Sequence, residues 1–215
     1  MYLFPKGKTK NEECSMSPSQ IVDMIVMGIF LSIFFFVRRT YTREQIYGFL
    51  GRIAQFTFPA AVITLITMNV IGPLAKPLDL MFFGYSGEEG YAYLLAMWAT
   101  GDLKAYQNAQ ILDWFYAGLH GLAFAGIVWN LVSARLSQRW NWLPVLALLA
   151  SGFDYLENRA LLRATANVPD PSVIWNLTLT GRLFTPAKWI FAAATTALML
   201  FGVAWWVVRK VRKSA

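Results

Sequence analysis

The chain has 215 residues, of which 57% are hydrophobic, 16% aromatic and 14% charged, with a mean hydropathy of +0.44; ordinary soluble domains carry about 25% charged residues, so a conventional soluble domain is excluded. A single cysteine, Cys14, excludes a disulfide framework, an iron–sulfur cluster and a thiolate zinc site, and a single histidine, His120, excludes bis-histidine haem. The net charge of +7, in a chain of this hydropathy, speaks to membrane orientation rather than to nucleic acid.

Five stretches can cross a hydrocarbon core, which takes about 17–25 mostly apolar residues in a helix. The first is Ile21 to Val37, closed by Arg38 and Arg39. Its basic cluster follows the apolar run and no small-residue cleavage site comes after it, so it reads as a retained anchor and not as a signal peptide. The second runs from Ile53 to Gly72 and stops at Pro73, which cannot continue a helix. Between it and the third span lies a long connection whose centre, Glu88 to Ala99, sets Tyr91, Leu94, Leu95 and Trp98 at helical spacing and predicts an interfacial helix. Gly101 ends that helix, and Asp102 stands as N-cap of the next.

The third span covers Ala109 to Val132, the fourth Leu143 to Leu162 and the fifth Pro186 to Val208. Pro144 and Pro186 fall in first turns, where the missing N–H costs nothing. The segment from Arg163 to Thr185, with Pro169, Pro171 and a Ser/Asn/Thr run, reads as a connection. No stretch alternates apolar and polar as a strand would. The expected fold is therefore all-α, a single polytopic membrane domain over residues 1–215 with about five transmembrane helices and one interfacial helix.

Charge placement orients these spans. With the N-terminus outside, the inner segments hold Arg38, Arg39, Arg43, Arg52, Arg135, Arg139 and the tail Arg209, Lys210, Arg212 and Lys213 against one acid, Glu44. The outer segments balance Lys6, Lys8, Lys10, Lys76, Lys104, Arg163 and Arg182 with Glu12, Glu13, Asp79, Glu88, Glu89, Asp102 and Asp170. The positive-inside bias then predicts N-out, C-in, in a membrane read as the bacterial inner (plasma) membrane.

The ionisable residues left inside the spans mark where chemistry could reside, because a charge at membrane depth costs several kcal/mol unless paired or wetted. Asp154, Glu157 and Asn158 follow i, i+3, i+4 spacing and share a helix face, which Ser151 extends one turn back. Asp113, Tyr116 and His120 form a similar stripe on the third span, and Thr185 and Lys188 open the fifth. At about 1.5 Å per residue all of these fall in the outer half of the bilayer. Asp113, Asp154 and Glu157 outnumber Lys188 and Arg159 by one, so a shared proton or a cation is needed to balance them.

The run Gly152-Phe-Asp-Tyr-Leu-Glu-Asn158, followed by Thr185-Pro-Ala-Lys188, resembles a family of small multi-spanning bacterial membrane proteins carrying Asp-x-x-Glu-Asn and a downstream Thr-x-x-Lys. The segment from Tyr85 to Asp113 fits the same resemblance, which extends from about Phe58 to Trp206 and leaves out the first span. It implies positions and no activity.

Three readings of the cluster stay open: an ion-pair and amide network that glues helices together, a site for a small polar molecule or lipid headgroup, and a metal site with few donors, one imidazole among carboxylates. No metal and no cofactor is assigned. If the site is catalytic, Asp113, Asp154 or Glu157 would serve as acid or base and Lys188 would stabilise negative charge. His120, between Gly118 and Gly121, also fits a hydrogen-bonded packing residue, and Lys188 lies near enough to the surface to snorkel. Membrane lipid is the expected partner. The alternative to a binding pocket is a non-catalytic accessory subunit packed against a larger membrane complex. No His-Glu-x-x-His, Gly-x-Ser-x-Gly or phosphate-cradling glycine loop occurs.

Overall fold

The computed structural model describes residues 39–71, 83–136 and 138–214. The chain divides into two units, Met1–Arg43 and Glu44–Ala215. The predicted span from Ile21 to Val37 lies outside the described residues, and the helices of the second unit carry the fold.

Every regular element among the described residues is helical: α1 (Arg43–Ile71), α2 (Gly87–Thr100), α3 (Leu103–Leu131), α4 (Val145–Asn167), α5 (Ile174–Leu179) and α6 (Thr185–Ser214). Short 3-10 turns sit at Ser133–Arg135, Gln138–Trp140 and Pro171–Val173, and a π turn over Thr180–Phe184 joins α5 to α6. Three stretches, Arg43–Thr67, Leu103–Arg135 and Pro171–Arg212, are long and apolar enough to cross a membrane. At 23 residues α4 has the length, about 34 Å, but Asp154, Glu157, Arg159 and Arg163 make it too polar to qualify by composition.

The sequence explains the ends of these helices. Ser86 caps α2 with a full capping box: its hydroxyl accepts from Glu89 N–H at 3.1 Å, while the Glu89 carboxylate accepts from Ser86 N–H at 2.7 Å. Gly101 closes α2 in the left-handed conformation at φ +83°, where a side chain would be strained. A helix thus stands over Gly87–Thr100, where the sequence predicts one. Asp102 occupies the N-cap position of α3, but its carboxylate accepts from the Thr100 hydroxyl at 2.7 Å and makes no cap bond. Arg163 to Thr185, expected as a connection between spans, is largely helical. After Pro171 it folds into the 3-10 turn, α5 and the π turn, which run into α6 without a break.

Small residues let the helices approach closely, as membrane helix packing requires. A Cβ on Gly126 of α3 would collide with the Leu50 carbonyl oxygen of α1, and one on Gly121 would stand 2.5 Å from Ser151 Cβ of α4. Close approach lets polar groups meet backbone across helices: Asn130 Nδ2 donates to Gly51 O at 3.0 Å, and the Ser151 hydroxyl to Ala117 O at 2.5 Å. Outward faces are apolar, with Phe56, Ile63, Ile190 and Leu200 all more than half exposed. Thr57, Thr64, Thr67, Thr195 and Thr196 turn their hydroxyls onto the carbonyl four residues back. That local bond satisfies the threonine hydroxyls without water.

Contacts fix the directions. Gln107 near the start of α3 reaches Thr165 near the end of α4 at 3.3 Å, so the two run antiparallel. Lys188 near the start of α6 reaches α4, while Gly202 lies against Leu131 and Val132 at the end of α3. One end of the unit therefore collects Arg135, Arg139, Arg209, Lys210 and Arg212. There Arg139, Arg209 and Lys210 sit over Trp140, Trp205 and Trp206 at 5.7, 6.0 and 5.3 Å. The opposite end carries α2 packed on α5, with Tyr85, Leu94, Met97, Tyr106, Leu161 and Leu177 in its core.

Candidate functional site: a buried ionic cluster between three helices

The polar face of α4 turns inward. Ser151, Asp154, Glu157, Asn158 and Thr165 are buried, whereas Tyr155 and Leu156 between them are exposed. Burial of that face follows from the i, i+3, i+4 spacing, because an apolar surrounding leaves the polar stripe nowhere to go but against other polar groups.

Those groups come from α6. Lys188 Nζ donates to Asp154 Oδ1 at 2.9 Å and forms an ion pair with Glu157 Oε2 at 2.8 Å, without hydrogen-bond alignment. The Thr185 hydroxyl donates to the other oxygen, Glu157 Oε1. Glu157 and Asn158 are wholly inaccessible and Lys188 is 7% exposed, so Lys188 does not snorkel to the surface. The ammonium also lies 5.5 Å from the centre of the Trp189 ring, a second favourable contact for a desolvated cation.

The π turn sets this register. Pro186 cannot place its ring over the carbonyl of Arg182, four residues back, in a tight α turn. The helix widens instead, and Thr185 N–H bonds Thr180 O five residues back. The extra residue puts Thr180, Thr185 and Lys188 on one buried face. Gly181 within the turn packs against the Phe83–Ser86 segment so tightly that a Cβ there would collide with Tyr85 O. Gly84, at φ +84°, meets the Gly181 carbonyl equally closely.

From α3 come two stripes rather than one. Gln110, Asp113, Ala117 and Gly121 form the buried stripe facing α4. Tyr116 and His120, expected on the same stripe as Asp113, lie beside it in an aromatic ladder: their rings stack at 5.3 Å and 9°, and His120 meets Phe124 edge-on at 4.5 Å. Tyr116 is within electrostatic reach of Asp154, Asp113 and Lys188, and His120 within that of Lys188. Of the eight residues singled out from the sequence, Asp154, Glu157, Thr185 and Lys188 are in direct contact, Asn158 is buried on the same α4 face, and Asp113, Tyr116 and His120 lie on α3. Gln110 and Thr180 are buried polar members that sequence reasoning passed over; the i−3 spacing of Gln110 from Asp113 was the available signal.

Two features bear on what the cluster can do. Three carboxyl groups, Asp113, Asp154 and Glu157, are buried in the same bundle as Lys188, and low-dielectric surroundings penalise each of them unless it is paired, hydrogen-bonded or protonated. The Asn158 amide is also fully buried, with neither Nδ2 nor Oδ1 bonded to any protein atom, and the same holds for His120 Nδ1 and Gln110 Oε1. Among the described residues no group of three His, Cys, Asp or Glu has the geometry to hold a metal ion. Comparison with protein-family models, with curated proteins and with solved structures finds no match to this chain. Function must therefore be read from the geometry and chemistry of the site itself.

Proposed function

We propose that this is an integral membrane protein that binds a small polar molecule or a lipid headgroup in a pocket formed by Asp113, Tyr116, His120, Asp154, Glu157, Asn158, Thr185 and Lys188. The observation that carries the reading is Asn158. A primary amide with no exposure and no protein partner at either end costs about 1–3 kcal/mol for each unmade bond. A ligand offering both an acceptor and a donor repays that cost. Lys188, held by Asp154 and Glu157, supplies the charged anchor beside it.

The pocket sits toward the end of the bundle away from the arginine and lysine tail. Lys188 precedes Gly202, near that tail, by about 21 Å of helix. With the basic end inside, as the positive-inside bias favours, the pocket occupies the outer half of the bilayer, in a chain with N-terminus outside and C-terminus inside a bacterial plasma membrane. Five spans, counting Ile21–Val37 and α4, complete this reading.

The test is mass spectrometry of small molecules retained by the full chain purified in mild detergent, alongside Asn158→Leu. The wild type should carry a bound lipid or metabolite. Asn158→Leu should lose it without losing thermal stability, since an apolar side chain of similar volume removes the unmet amide. A stable wild type that retains nothing, or that comes out only with other subunits attached, sinks the pocket; the second result favours the accessory-subunit reading.

A further inference from the structure

A second surface, separate from the ionic cluster, lies on the flank where α3 and α4 meet. Ile111, Trp114 and Phe115 form one wall and Tyr155 and Leu162 the other, enclosing an apolar groove of about 350 Å³. That volume is within the range of ligand pockets, roughly 300–1,000 Å³. Its floor is fixed: Trp114 and Tyr155 meet edge-on at 6.1 Å, and the Tyr155 hydroxyl occupies space that Gly118 leaves by having no side chain.

Both walls continue into basic residues at the same end. On α4, Arg159 stands four residues from Tyr155 and three from Leu162, and Arg163 follows four further on, so both border the groove stripe. On α3, Lys104 extends the Ile111–Phe115 stripe two turns toward the helix start. The antiparallel pairing, pinned by Gln107 to Thr165, brings the start of α3 beside the end of α4, so Lys104 and Arg163 rim one mouth. Arg163 and Lys104 are exposed and Arg159 is half-buried.

An apolar trough capped by two arginines and a lysine has the chemistry of an amphiphile with an anionic head. The geometry points to an anionic phospholipid as the occupant: its phosphate on Arg159, Arg163 and Lys104, and an acyl chain along Ile111, Trp114, Phe115, Tyr155 and Leu162. Arginine suits the head, because its planar fork meets two phosphate oxygens at once. Only contact of α3 and α4 with lipid is required; Asn158 and Lys188 play no part, so the two sites stand or fall separately.

The experiment reconstitutes the full chain in vesicles containing dibrominated phosphatidylglycerol or, at equal mole fraction, dibrominated phosphatidylcholine. Bromine quenches tryptophan at contact, and the Trp114 share is the difference between wild type and Trp114→Phe. Trp114 should be quenched preferentially by the anionic lipid, less so as salt rises. Each of Arg159→Gln and Arg163→Gln should lower that preference about fivefold, and Lys104→Gln in the same direction. Arg209→Gln with Lys210→Gln, at the far end, should leave it unchanged. Equal quenching by both lipids overturns the proposal, as does a preference lost in the tail variant and kept in the groove variants. Absence of quenching by either lipid also overturns it, since the groove would then be covered by protein. If the arginine variants do not fold, Lys104→Gln and the wild-type salt dependence decide, and no change in either refutes the assignment.

Discussion

Replacing Lys188 with methionine isolates the electrostatics of the cluster. Methionine keeps most of the stem's volume and removes only the ammonium, which stands 2.9 Å from Asp154 Oδ1 and 2.8 Å from Glu157 Oε2. Two carboxyl groups remain, one 4% exposed and one fully buried, with the Thr185 hydroxyl on Glu157. Stranding one side of a buried ion pair costs about 3–5 kcal/mol, whereas replacing all its members by apolar groups of similar volume can be close to neutral. At 1.4 kcal/mol per factor of ten, Lys188→Met should lower the folded-to-unfolded ratio by about 10²–10³ or more. Asp154→Val, Glu157→Met and Lys188→Met combined, apolar groups of similar volume, should return to within about 1 kcal/mol of wild type. Equilibrium unfolding in mixed micelles with rising dodecyl sulfate, followed by far-UV circular dichroism, measures both. If Lys188→Met costs under about 1 kcal/mol, as for an exposed pair, or if its effect simply adds to those of the two acid variants, the cluster is not electrostatically coupled.

Three other perturbations probe the packing, the cap and the orientation. Gly181→Ala should destabilise the α2–α5 end by about 1–3 kcal/mol or more, since the new methyl would collide with the Tyr85 backbone oxygen; limited proteolysis near Phe83 should accelerate, and an unchanged cleavage rate would contradict the packing. Glu89 is held below its ordinary pKa of 4.5 by the Ser86 amide and hydroxyl, so its cap bond is present above that pH and lost as pH falls through the lowered folded-state value. The Ser86 amide resonance should follow that titration in wild type and not in Glu89→Gln. In a Cys14→Ser background, a membrane-impermeant thiol reagent applied from outside should label Ser172→Cys and spare Ala134→Cys; the reverse pattern would invert the topology and move the ionic cluster to the inner half.

Much of this architecture is legible in the sequence, for identifiable reasons. Long apolar runs specify helices whatever their partners, and the Asp154, Glu157, Asn158 spacing commits those three to one face. That buried acids need a counter-charge, and that Lys188 supplies one to Asp154 and Glu157, follows from the cost of ions in an apolar medium. Which acids meet the ammonium is a matter of packing: Asp154 and Glu157 are in contact with it, a pairing that depth alone does not choose. On α3 the spacing is ambiguous: residues 113, 116 and 120 and residues 113, 117 and 121 are both helical stripes. Only the glycine at 121, which admits Ser151, decides which of them faces α4. The segment from Arg163 to Thr185 is the least legible. Its prolines and polar residues look like a loop because local propensity records nothing of the Gly84, Gly87 and Gly181 contacts that hold it helical.

The π turn at Thr180–Phe184 makes the ionic cluster depend on counting as much as on composition. Each residue of an α-helix advances the azimuth by about 100°, so shortening this turn by a single residue would rotate all of α6 by that amount. Lys188 and Thr185 would swing away from α4 with their chemistry intact and their address lost, while the apolar faces of α6 would turn inward. Chain length at this one point thus acts as a switch on the site, and a sequence with every polar residue retained but one position fewer between Asn176 and Thr185 would carry the motif without the cluster.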